Sequence, residues 1–341
     1  NIDRSSNLVT LNDLPDLKPE DIVAKNKNAG IVGMGGATFP CHVKLTPPKG
    51  AVAECVIVNA VECEPYLTAD HRLMLEKGDE ILVGLDLIMK AVGVQKGYIG
   101  IENNKPDAIK LLTKKARRYP NIEVVPLKVK YPQGGEKQLI AAITGREVPA
   151  PPAIPINVGA VVQNVGTVYA IYEAVMKNKP LFERVITVTG KGLKNPSNLL
   201  ARIGTPMSQL IEECGGLPED SGKIIGGGPM MGKTLMNLDV PVCKGSSGLL
   251  ILNEKESRRS EEQPCIRCAK CLQVCPMGLE PYLLNKLARQ GRNEELEKER
   301  VYDCIECGSC MYTCPANIYL LDYIRMAKAD VLKIMRSQNK K

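Results

Sequence analysis

The sequence predicts a multidomain protein that combines an α/β domain, a small α+β domain and a helical domain. Its 341 residues exceed the length of one average domain. Between residues 29 and 178, apolar strand-like runs alternate with helical runs, which is the rhythm of parallel βαβ units. From residue 257 onward, the sequence is charged and helical around two cysteine-rich repeats.

The first domain is predicted to contain three strands and three helices. Short apolar runs that end in polar residues or turns predict the strands, and a period near 3.6 predicts the helices. The strands are expected at 54–61, 96–104 and 122–129, and the helices at 79–94, 105–118 and 136–145. The proline-rich residues 146–155 predict an irregular loop, and residues 161–180 are interpreted as a loop that leads into a helix.

The later domains follow a different pattern. Strands at 183–190, 222–232 (with a Gly-rich turn) and 246–256, together with a Pro-initiated helix at 204–216, predict a small α+β unit. Helical patterns then occupy 279–299 and 316–337. We therefore divide the chain into an N-terminal segment with one short helix (1–28), the α/β domain (29–180), the α+β domain (181–256) and the helical domain (257–341).

The two cysteine repeats share the spacing C-x₂-C-x₂-C-x₃-C-P, which is the bacterial ferredoxin pattern for [4Fe–4S] clusters. Three cysteines at intervals of three can wrap one face of a cubane, whereas the fourth crosses to the other cluster. We assign cluster one to Cys265, Cys268, Cys271 and Cys314, and cluster two to Cys304, Cys307, Cys310 and Cys275. The alternative, structural Cys₄ zinc, does not need this doubled eight-cysteine arrangement.

Composition excludes several classes of protein. No apolar run approaches the roughly 18 residues that a membrane span needs, and no secretory signal opens the chain. The net charge of +7 counts every cysteine as neutral. Eight thiolates and two oxidised four-iron cores would contribute about −4, which leaves about +3. Because no basic stripe is interleaved with aromatic residues, we expect no nucleic-acid partner.

Two clusters conduct electrons and need a donor, and four upstream stretches are candidates for its site. The first is a glycine loop that can approach an anion or a flat ring, with Gly33, Gly35 and Gly36 ahead of Phe39 and Lys44. The second follows a strand end and carries Asn59, Glu62 and Glu64. The third is a Gly-rich turn with Tyr131, Gly134 and Glu136, and the fourth holds Asn164 and Thr167.

Together these four stretches resemble the flavoprotein, NADH-binding subunit of respiratory complex I. The loop from Gly33 to Lys44 is similar to its G-x-G-G-A-G-F-P-x-x-x-K motif, although Thr38 replaces the third glycine. Val61 stands where that family often has an acid. The resemblance implies FMN beneath a nicotinamide site. It also implies that FMN is contacted by four residues: Lys44, Asn59, Asn164 and Thr167.

The same resemblance assigns roles on the NADH side. Phe39 is expected to stack in the NADH site, and Glu64 and Glu136 are expected to hold nicotinamide or ribose groups. Structural roles stay open for Glu62 and Tyr131.

Over roughly residues 25–335, the chain is identified as a member of the RnfC family, the NADH-handling subunits of Rnf complexes. Stretches such as "YPQGGEKQLI", "VECEPYLTADHRLMLE" and "GGGPMMG" carry this resemblance. It implies a Rossmann-like flavin/NADH domain, a β-grasp SLBB domain and a helical ferredoxin-like domain with two [4Fe–4S] clusters. The chain begins at Asn1 rather than Met, so we expect upstream sequence, such as the lipoyl-like domain that this family usually carries.

The resemblance implies an NADH-dependent FMN/iron–sulfur oxidoreductase that passes electrons between NADH, non-covalent FMN and the two clusters. Expected partners are NAD(H), the other Rnf-type membrane subunits and a ferredoxin-like electron carrier subunit, at the cytoplasmic face of the membrane. Two alternatives stay open. One is an accessory flavoprotein of a soluble reductase of the proline-reductase type, and the other is a non-enzymatic β-grasp scaffold for a ligand.

Overall fold

The structure is a computed structural model that describes residues 16–338. The part of the predicted N-terminal segment that covers residues 1–15 lies outside the described residues. The described residues form two compact units, one of residues 16–148 and 153–256 and the other of residues 149–152 and 257–338. None of the helices within 16–338 combines the length and apolar character needed to cross a membrane.

The first domain contains a parallel sheet packed with helices, as the sequence predicts, but the sheet has four strands rather than three. Its strands are β1 (Cys55–Asn59), β2 (Lys96–Glu102), β3 (Ile122–Leu127) and β4 (Ala160–Asn164). Its helices are α1 (Pro19–Asn28), α2 (Cys41–Lys44), α3 (Ala69–Glu76), α4 (Gly78–Val92), α5 (Pro106–Ala116), α6 (Glu136–Thr144) and α7 (Val165–Lys177). A 3₁₀ turn at Pro155–Val158 precedes β4.

Strand β4 and helix α3 differ from the sequence-based expectation. The stretch interpreted as a loop before α7 is strand β4, in which four of five residues are buried. Its one polar interior residue, Gln163, donates from Nε2 to the Cys41 sulfur at 3.4 Å, and this contact lets an amide side chain lie inside. Helix α3 was not predicted from the sequence, because Asp70, His71 and Arg72 interrupt the pattern of its buried residues.

The sheet has the strand order β3-β2-β1-β4, and every pair is parallel. The chain therefore runs outward from β1 to β3 and then returns to the other side of β1. The main core lies between this sheet and helices α4 and α7, where Leu82, Leu85, Ile99, Val168 and Ile171 are fully buried. Gly84 of α4 permits this packing, because an added Cβ would lie 2.4 Å from the Val168 carbonyl oxygen.

The second domain is a five-stranded mixed sheet with one helix, in agreement with the predicted α+β class. Its elements are β5 (Glu183–Thr189), β6 (Ser197–Arg202), α8 (Met207–Glu213), β7 (Ser221–Gly226), β8 (Lys233–Thr234) and β9 (Gly248–Asn253), with α9 (Glu254–Ser257) after it. The strand order is β6-β5-β9-β7-β8, with a parallel β5–β9 pair at the centre. Strand β6, which pairs antiparallel with β5, was not predicted from the sequence. Leu210 and Ile211 of α8 pack on Ile186 and Leu249 of the sheet.

The helical unit contains the cysteine repeats. Its helices are α10 (Lys270–Gln273), α11 (Pro281–Arg289), α12 (Asn293–Lys298), α13 (Ser309–Tyr312) and α14 (Leu320–Gln338), with a 3₁₀ turn at Val301–Asp303. The helical pattern at 279–299 forms two helices, because Gly291 between them has a φ of +67°. Leu284 and Leu287 pack against Ile324 and Val331 of α14 to form a separate small core.

Candidate functional site

The carboxyl ends of β1 and β4 bring two candidate residues together. Asn59 ends β1, Asn164 ends β4, and the two are direct partners in the parallel register. Since the chain leaves β1 toward β2 on one side and returns as β4 on the other, this is the topological switch point of the sheet. Ligands of open α/β sheets bind in the crevice outside such a point. The strand order thus places a binding crevice beside the candidate residues that the sequence indicates.

The glycine loop lies at this crevice. A Cβ on Gly35 would come within 3.0 Å of the Asn164 side chain, so the loop backbone lies against the end of β4. Thr167 fixes the loop from the other side, because its Oγ1 accepts a hydrogen bond from the Met34 amide at 2.9 Å. A Cβ on Gly36 would meet no atom within 4 Å, whereas Gly33 is held by a 2.9 Å bond from its amide to the Phe39 carbonyl.

Lys44 and Glu136 form one polar wall. The Lys44 ammonium donates to Glu136 Oε1 at 2.6 Å and to the Val162 carbonyl of β4 at 3.2 Å. Both side chains are about one-third exposed, so each can still meet a ligand. The glycine loop, α6 and β4 therefore converge on one half-buried cation.

Asn59 and Gly134 join the acidic segment after β1 to the Gly-rich turn before α6. Asn59 Nδ2 donates to the Gly134 carbonyl at 2.7 Å, and the Gly134 amide donates to the Cys63 sulfur at 3.3 Å. A Cβ at Gly134 would lie 3.0 Å from that sulfur, so a side chain here would press against Cys63. Burial raises the pKa of the Cys63 thiol to about 11, so this thiol is protonated at neutral pH.

Glu62 is a half-buried carboxylate at the N-terminus of α3. Its backbone has a φ of +48°, and its oxygens accept hydrogen bonds from the amides of Asp70 at 2.8 Å and His71 at 3.0 Å. Burial raises the pKa of Glu62 to about 8, and the charge of Asp70 adds to this effect. Asp70 in turn accepts from Asn164 Nδ2 at 2.7 Å, while Asn164 Oδ1 caps α7 through the Gly166 amide.

Lys105 supports the strained backbone at Glu62. Its side chain is buried and donates to the Val61 carbonyl at 2.7 Å and to the Glu62 carbonyl at 3.4 Å. Glu102, also buried, lies 3.7 Å from the Lys105 ammonium and accepts from the Lys130 amide at 3.3 Å. This ion pair thus touches both the acidic segment and the turn that begins at Tyr131.

Three candidate residues have other surroundings. Glu64 accepts hydrogen bonds from the amides of Met230 and Met231 in the second domain, and its expected contact with nicotinamide or ribose stays a prediction. The Phe39 side chain is 47% exposed, and its expected stacking role in the NADH site stays a prediction. Tyr131 is half-buried beside the Gly-rich turn.

These surroundings fit FMN. A flat ring needs a backbone without side chains, and the open space at Gly36 supplies it. The ribityl and phosphate groups need polar donors, which Lys44 and the amides at Asn59 and Asn164 supply. Two supports of this site, Asp70 and Lys105, were not predicted from the sequence. In the sequence these residues are visible only as charges beside apolar strand and helix patterns. Such charges usually lie on a solvated surface.

The two cysteine repeats adopt the same backbone. Left-handed φ values occur at equivalent positions, with Arg267 (+56°) and Ala269 (+59°) in the first repeat and Glu306 (+58°) and Gly308 (+80°) in the second. Left-handed geometry in residues other than glycine costs of order 1 kcal/mol and persists only where the surroundings demand it. The two repeats therefore share the same left-handed turns between their cysteines.

Several cysteine thiols of the two repeats also influence one another electrostatically. Burial raises the pKa of Cys310 to about 12, and the charges of Cys304, Cys307 and Cys275 add to the increase. Burial raises the pKa of Cys271, and Cys314 adds to the increase. Cys265 and Cys268 are exposed. Among residues 16–338, no three His, Cys, Asp or Glu side chains converge on a single ion. A cubane does not need such convergence, because each of its irons takes one thiolate.

Comparison with known families matches three parts of the chain. Residues 26–173 match the Nuo51 FMN-binding domain, residues 185–234 the SLBB domain and residues 258–329 the 4Fe-4S dicluster domain. The expected FMN and the two [4Fe–4S] clusters are therefore confirmed as cofactors of these domains. The expected fold class, with a Rossmann-like, an SLBB and a dicluster domain in this order, is confirmed as well.

Curated relatives are similar over most of the chain. The RnfC-type subunit of the Na⁺-translocating ferredoxin:NAD⁺ oxidoreductase complex of Acetobacterium woodii is 48% identical over 326 residues, which cover 96% of this chain and 73% of the relative. Its counterpart in the proton-translocating complex of Clostridium ljungdahlii is 50% identical over 316 residues, covering 92% and 69%. The counterpart in the ion-translocating complex of Rhodobacter capsulatus is 45% identical, and the match covers 95% of this chain but 62% of the relative.

Among solved structures, the NAD⁺-reducing [NiFe]-hydrogenase in its H₂-reduced state has a similar fold. The TM-score is 0.62 at 18% identity, and the match covers 92% of this chain and 62% of the hydrogenase chain. This likeness concerns the fold alone. The identities and coverage of the curated relatives show that the chain belongs to the RnfC family of ion-translocating ferredoxin:NAD⁺ oxidoreductase complexes.

Proposed function

We propose that NADH and FMN meet at the crevice between β1 and β4, and that the two clusters then carry single electrons to or from other subunits. The chain is an electron-transfer subunit of an Rnf-type oxidoreductase, with FMN and two [4Fe–4S] clusters as its cofactors. The observation that carries the location is the paired register of Asn59 and Asn164 at the switch point. FMN, when bound, converts a two-electron hydride donor into a source of single electrons.

The residues of the crevice divide into roles by chemistry. Gly35 and Gly36 leave space for the ring, and Gly33 and Gly134 shape the adjoining turns. Lys44 would neutralise the phosphate, with Glu136 holding the ammonium in place. Asn59, Asn164 and Thr167 would orient the ribityl chain or the loop that covers it.

The NADH side of the crevice is formed by an aromatic ring and two further polar side chains. Phe39 is exposed and would stack on a ring of NADH, and Tyr131 would flank it from the Gly-rich turn. Glu62 is half-buried and takes up a proton more readily than an ordinary carboxyl group because its pKa is raised, so it would hold a proton near the reacting groups.

In the helical unit, we propose the crossed ligand sets. Cys265, Cys268, Cys271 and Cys314 would hold cluster one, and Cys304, Cys307, Cys310 and Cys275 would hold cluster two. The electrostatic interaction of Cys310 with Cys275, across two different repeats, supports this assignment. Each thiolate contributes negative charge, and burial of Cys307 and Cys310 shields cluster two from water.

The partners would be the other subunits of a membrane-bound complex, as the names of the curated relatives indicate. We propose that a ferredoxin-like electron carrier subunit exchanges electrons with the helical unit, and that the chain lies peripherally at the cytoplasmic face. Co-purification of the tagged chain with the membrane subunits tests this assignment. Recovery of the chain with a soluble reductase instead would favour the accessory flavoprotein alternative.

The proposed site is tested by filling its open space. In the reconstituted protein, Gly36→Ala should weaken FMN binding slightly and Gly36→Leu should abolish it, because a Cβ at this position meets no protein atom and only the cofactor would be displaced. NADH oxidation with ferricyanide should fall in parallel, while the melting temperature of the FMN-free protein stays unchanged. Full FMN binding by Gly36→Leu would place the cofactor elsewhere.

A further inference from the structure

The second domain contacts the first along the two segments that form the candidate site. These are residues 30–39, which include the start of the glycine loop, and residues 62–68, which contain the acidic segment after β1. Both domains belong to the same compact unit. At four glycines of this contact, an added Cβ would lie within 2.6 Å of a side-chain atom from the other domain: Gly30, Gly228, Gly245 and Gly248. Side chains of each domain therefore lie directly against the backbone of the other.

The acidic segment is held through Glu64. Glu64 Oε2 accepts from the Met230 amide at 3.1 Å, and Oε1 accepts from the Met231 amide at 2.7 Å. A Cβ on Gly228 would lie 2.3 Å from Glu64 Oε2, so the Gly-rich turn after β7 wraps the carboxylate closely. Two backbone amides that converge on one carboxylate form a small anion nest, and hydrogen bonds to a charged group are among the stronger ones.

The same segment is fixed a second time four residues later. The Thr68 amide donates to Thr187 Oγ1 of β5 at 3.1 Å, and Thr187 Oγ1 donates to Asn198 Oδ1 of β6 at 2.7 Å. Asn198 Nδ2 donates to Thr68 Oγ1 at 3.0 Å. Strands of the second domain therefore hold the start of α3, whose first amides bind Glu62.

The glycine loop is held from the same side. Arg184 of β5 is buried, and its Nη1 donates to the Met34 carbonyl within the loop at 3.4 Å. Lys244 donates from Nζ to the Gly30 carbonyl at 2.6 Å, and Arg184 also donates to the Lys244 carbonyl. Asp70 lies within electrostatic range of the Arg184 guanidinium. Cations of the second domain thus hold the base of the loop.

We propose that the second domain is a structural wall of the flavin and nucleotide site, and that Glu64 is a positioning residue that anchors it rather than a ligand of NADH. Both Glu64 oxygens are engaged by the turn at 228–231, so the carboxylate fixes the acidic segment at the crevice. This gives the β-grasp domain a role in shaping the site without a ligand of its own. The proposal rests on the proposed function for the identity of the site, and on contacts of this chain for the anchor.

The test uses Glu64→Gln in the full chain, with Met231→Ala as the matched control. Gln offers one acceptor oxygen and turns its NH₂ group toward the second amide, whereas Met231→Ala keeps the Met231 amide and removes only an exposed side chain. Amide hydrogen exchange of the peptide covering residues 226–232 should accelerate about tenfold in Glu64→Gln, as expected for loss of one such bond. The control should exchange like the wild type.

Gly228→Ala provides a second variant that leaves Glu64 intact. Its methyl group would displace the Glu64 carboxylate. Gly228→Ala should therefore show faster exchange at residues 226–232 and a weaker affinity of the apoprotein for FMN. A raised KM for NADH in Glu64→Gln with unchanged exchange at 226–232 would overturn the anchor and restore Glu64 as a ligand. Absence of FMN from the wild-type protein would instead sink the proposed function, because the exchange measurement needs no cofactor.

Discussion

Asn59 and Asn164 face each other across the β1–β4 pair, at the point where the order of the sheet reverses. Both side-chain amides donate hydrogen bonds: Asn59 to the Gly134 carbonyl and Asn164 to the Asp70 carboxylate. Each residue therefore ends a strand and fixes a neighbouring turn. This pair explains how four stretches that lie far apart in the sequence form one crevice.

The first prediction concerns Asn164→Ala. The change removes the N-cap of α7 and leaves Asp70 without its amide donor, so the free energy of unfolding should fall by about 2 kcal/mol. Denaturation with urea measures the loss. Asn121→Ala, which removes only an exposed contact of 3.5 Å, serves as the control and should change stability by less than about 0.5 kcal/mol. Equal losses in both variants would show that Asn164 has no special structural role.

The second prediction concerns the pH dependence that Glu62 imposes. Burial, then the charge of Asp70, raises the pKa of Glu62 from 4.5 to about 8, so the folded protein binds this proton more tightly than the unfolded chain does. The free energy of unfolding of the wild type should therefore fall, relative to Glu62→Gln, as the pH rises from about 5 to about 9. Glu123→Gln, at an exposed position, controls for general effects of charge. A difference between wild type and Glu62→Gln that is constant with pH would contradict the assignment.

The third prediction concerns the buried pair of Lys105 and Glu102. Lys105→Met leaves a buried carboxylate and two backbone carbonyls without their cation, so it should cost about 3–5 kcal/mol of stability. The double change with Glu102→Gln should cost less than the sum of the single changes. Lys96→Met breaks an exposed pair with Glu123 and should cost less than about 1 kcal/mol. Additive losses at the buried pair would mean that the two charges do not interact.

The fourth prediction separates the crossed cluster assignment from one in which each repeat holds its own cluster. Cys275→Ala with Cys304→Ala removes two ligands of one crossed cluster, so the reconstituted chain should retain about four irons. Cys275→Ala with Cys271→Ala removes one ligand from each crossed cluster and should impair both. Iron analysis and the electron paramagnetic resonance of the reduced protein distinguish the two cases. The reverse pattern would show that the repeats do not exchange ligands.

Much of the fold could be predicted from the sequence, because its signals are local. The periodic runs that became β1, β2 and α4 carry their own pattern, and the cysteine spacing states its ligand chemistry directly. The prediction of a loop at β4 is wrong, because Gln163 and Asn164 are polar and the buried amide of Gln163 depends on a tertiary contact with Cys41. Helix α3 has no clear apolar pattern in the sequence, because the polar residues Asp70, His71 and Arg72 occupy its first half.

The site was predictable in composition but not in arrangement. The glycine loop and the acidic segment are visible as motifs, whereas their supports come from residues remote in sequence, such as Lys105 and Arg184. In the sequence, Lys105 resembles a solvated residue at the start of a helix, and Arg184 resembles a charged residue on an edge strand. The engagement of Glu64 by the amides at Met230 and Met231 is likewise invisible before the two domains are packed together.

A cofactor assay joined to an NADH titration tests whether the chain binds FMN and whether NADH reduces it, as a shared site for the two molecules requires. The anaerobically purified and reconstituted chain should release about one FMN on acid treatment and contain about eight irons. NADH should bleach its flavin absorbance before the cluster absorbance declines, because bound FMN would accept the hydride, whereas the clusters would accept only single electrons. An acid extract without FMN, or flavin absorbance that NADH leaves unchanged, would refute a shared site for the two molecules.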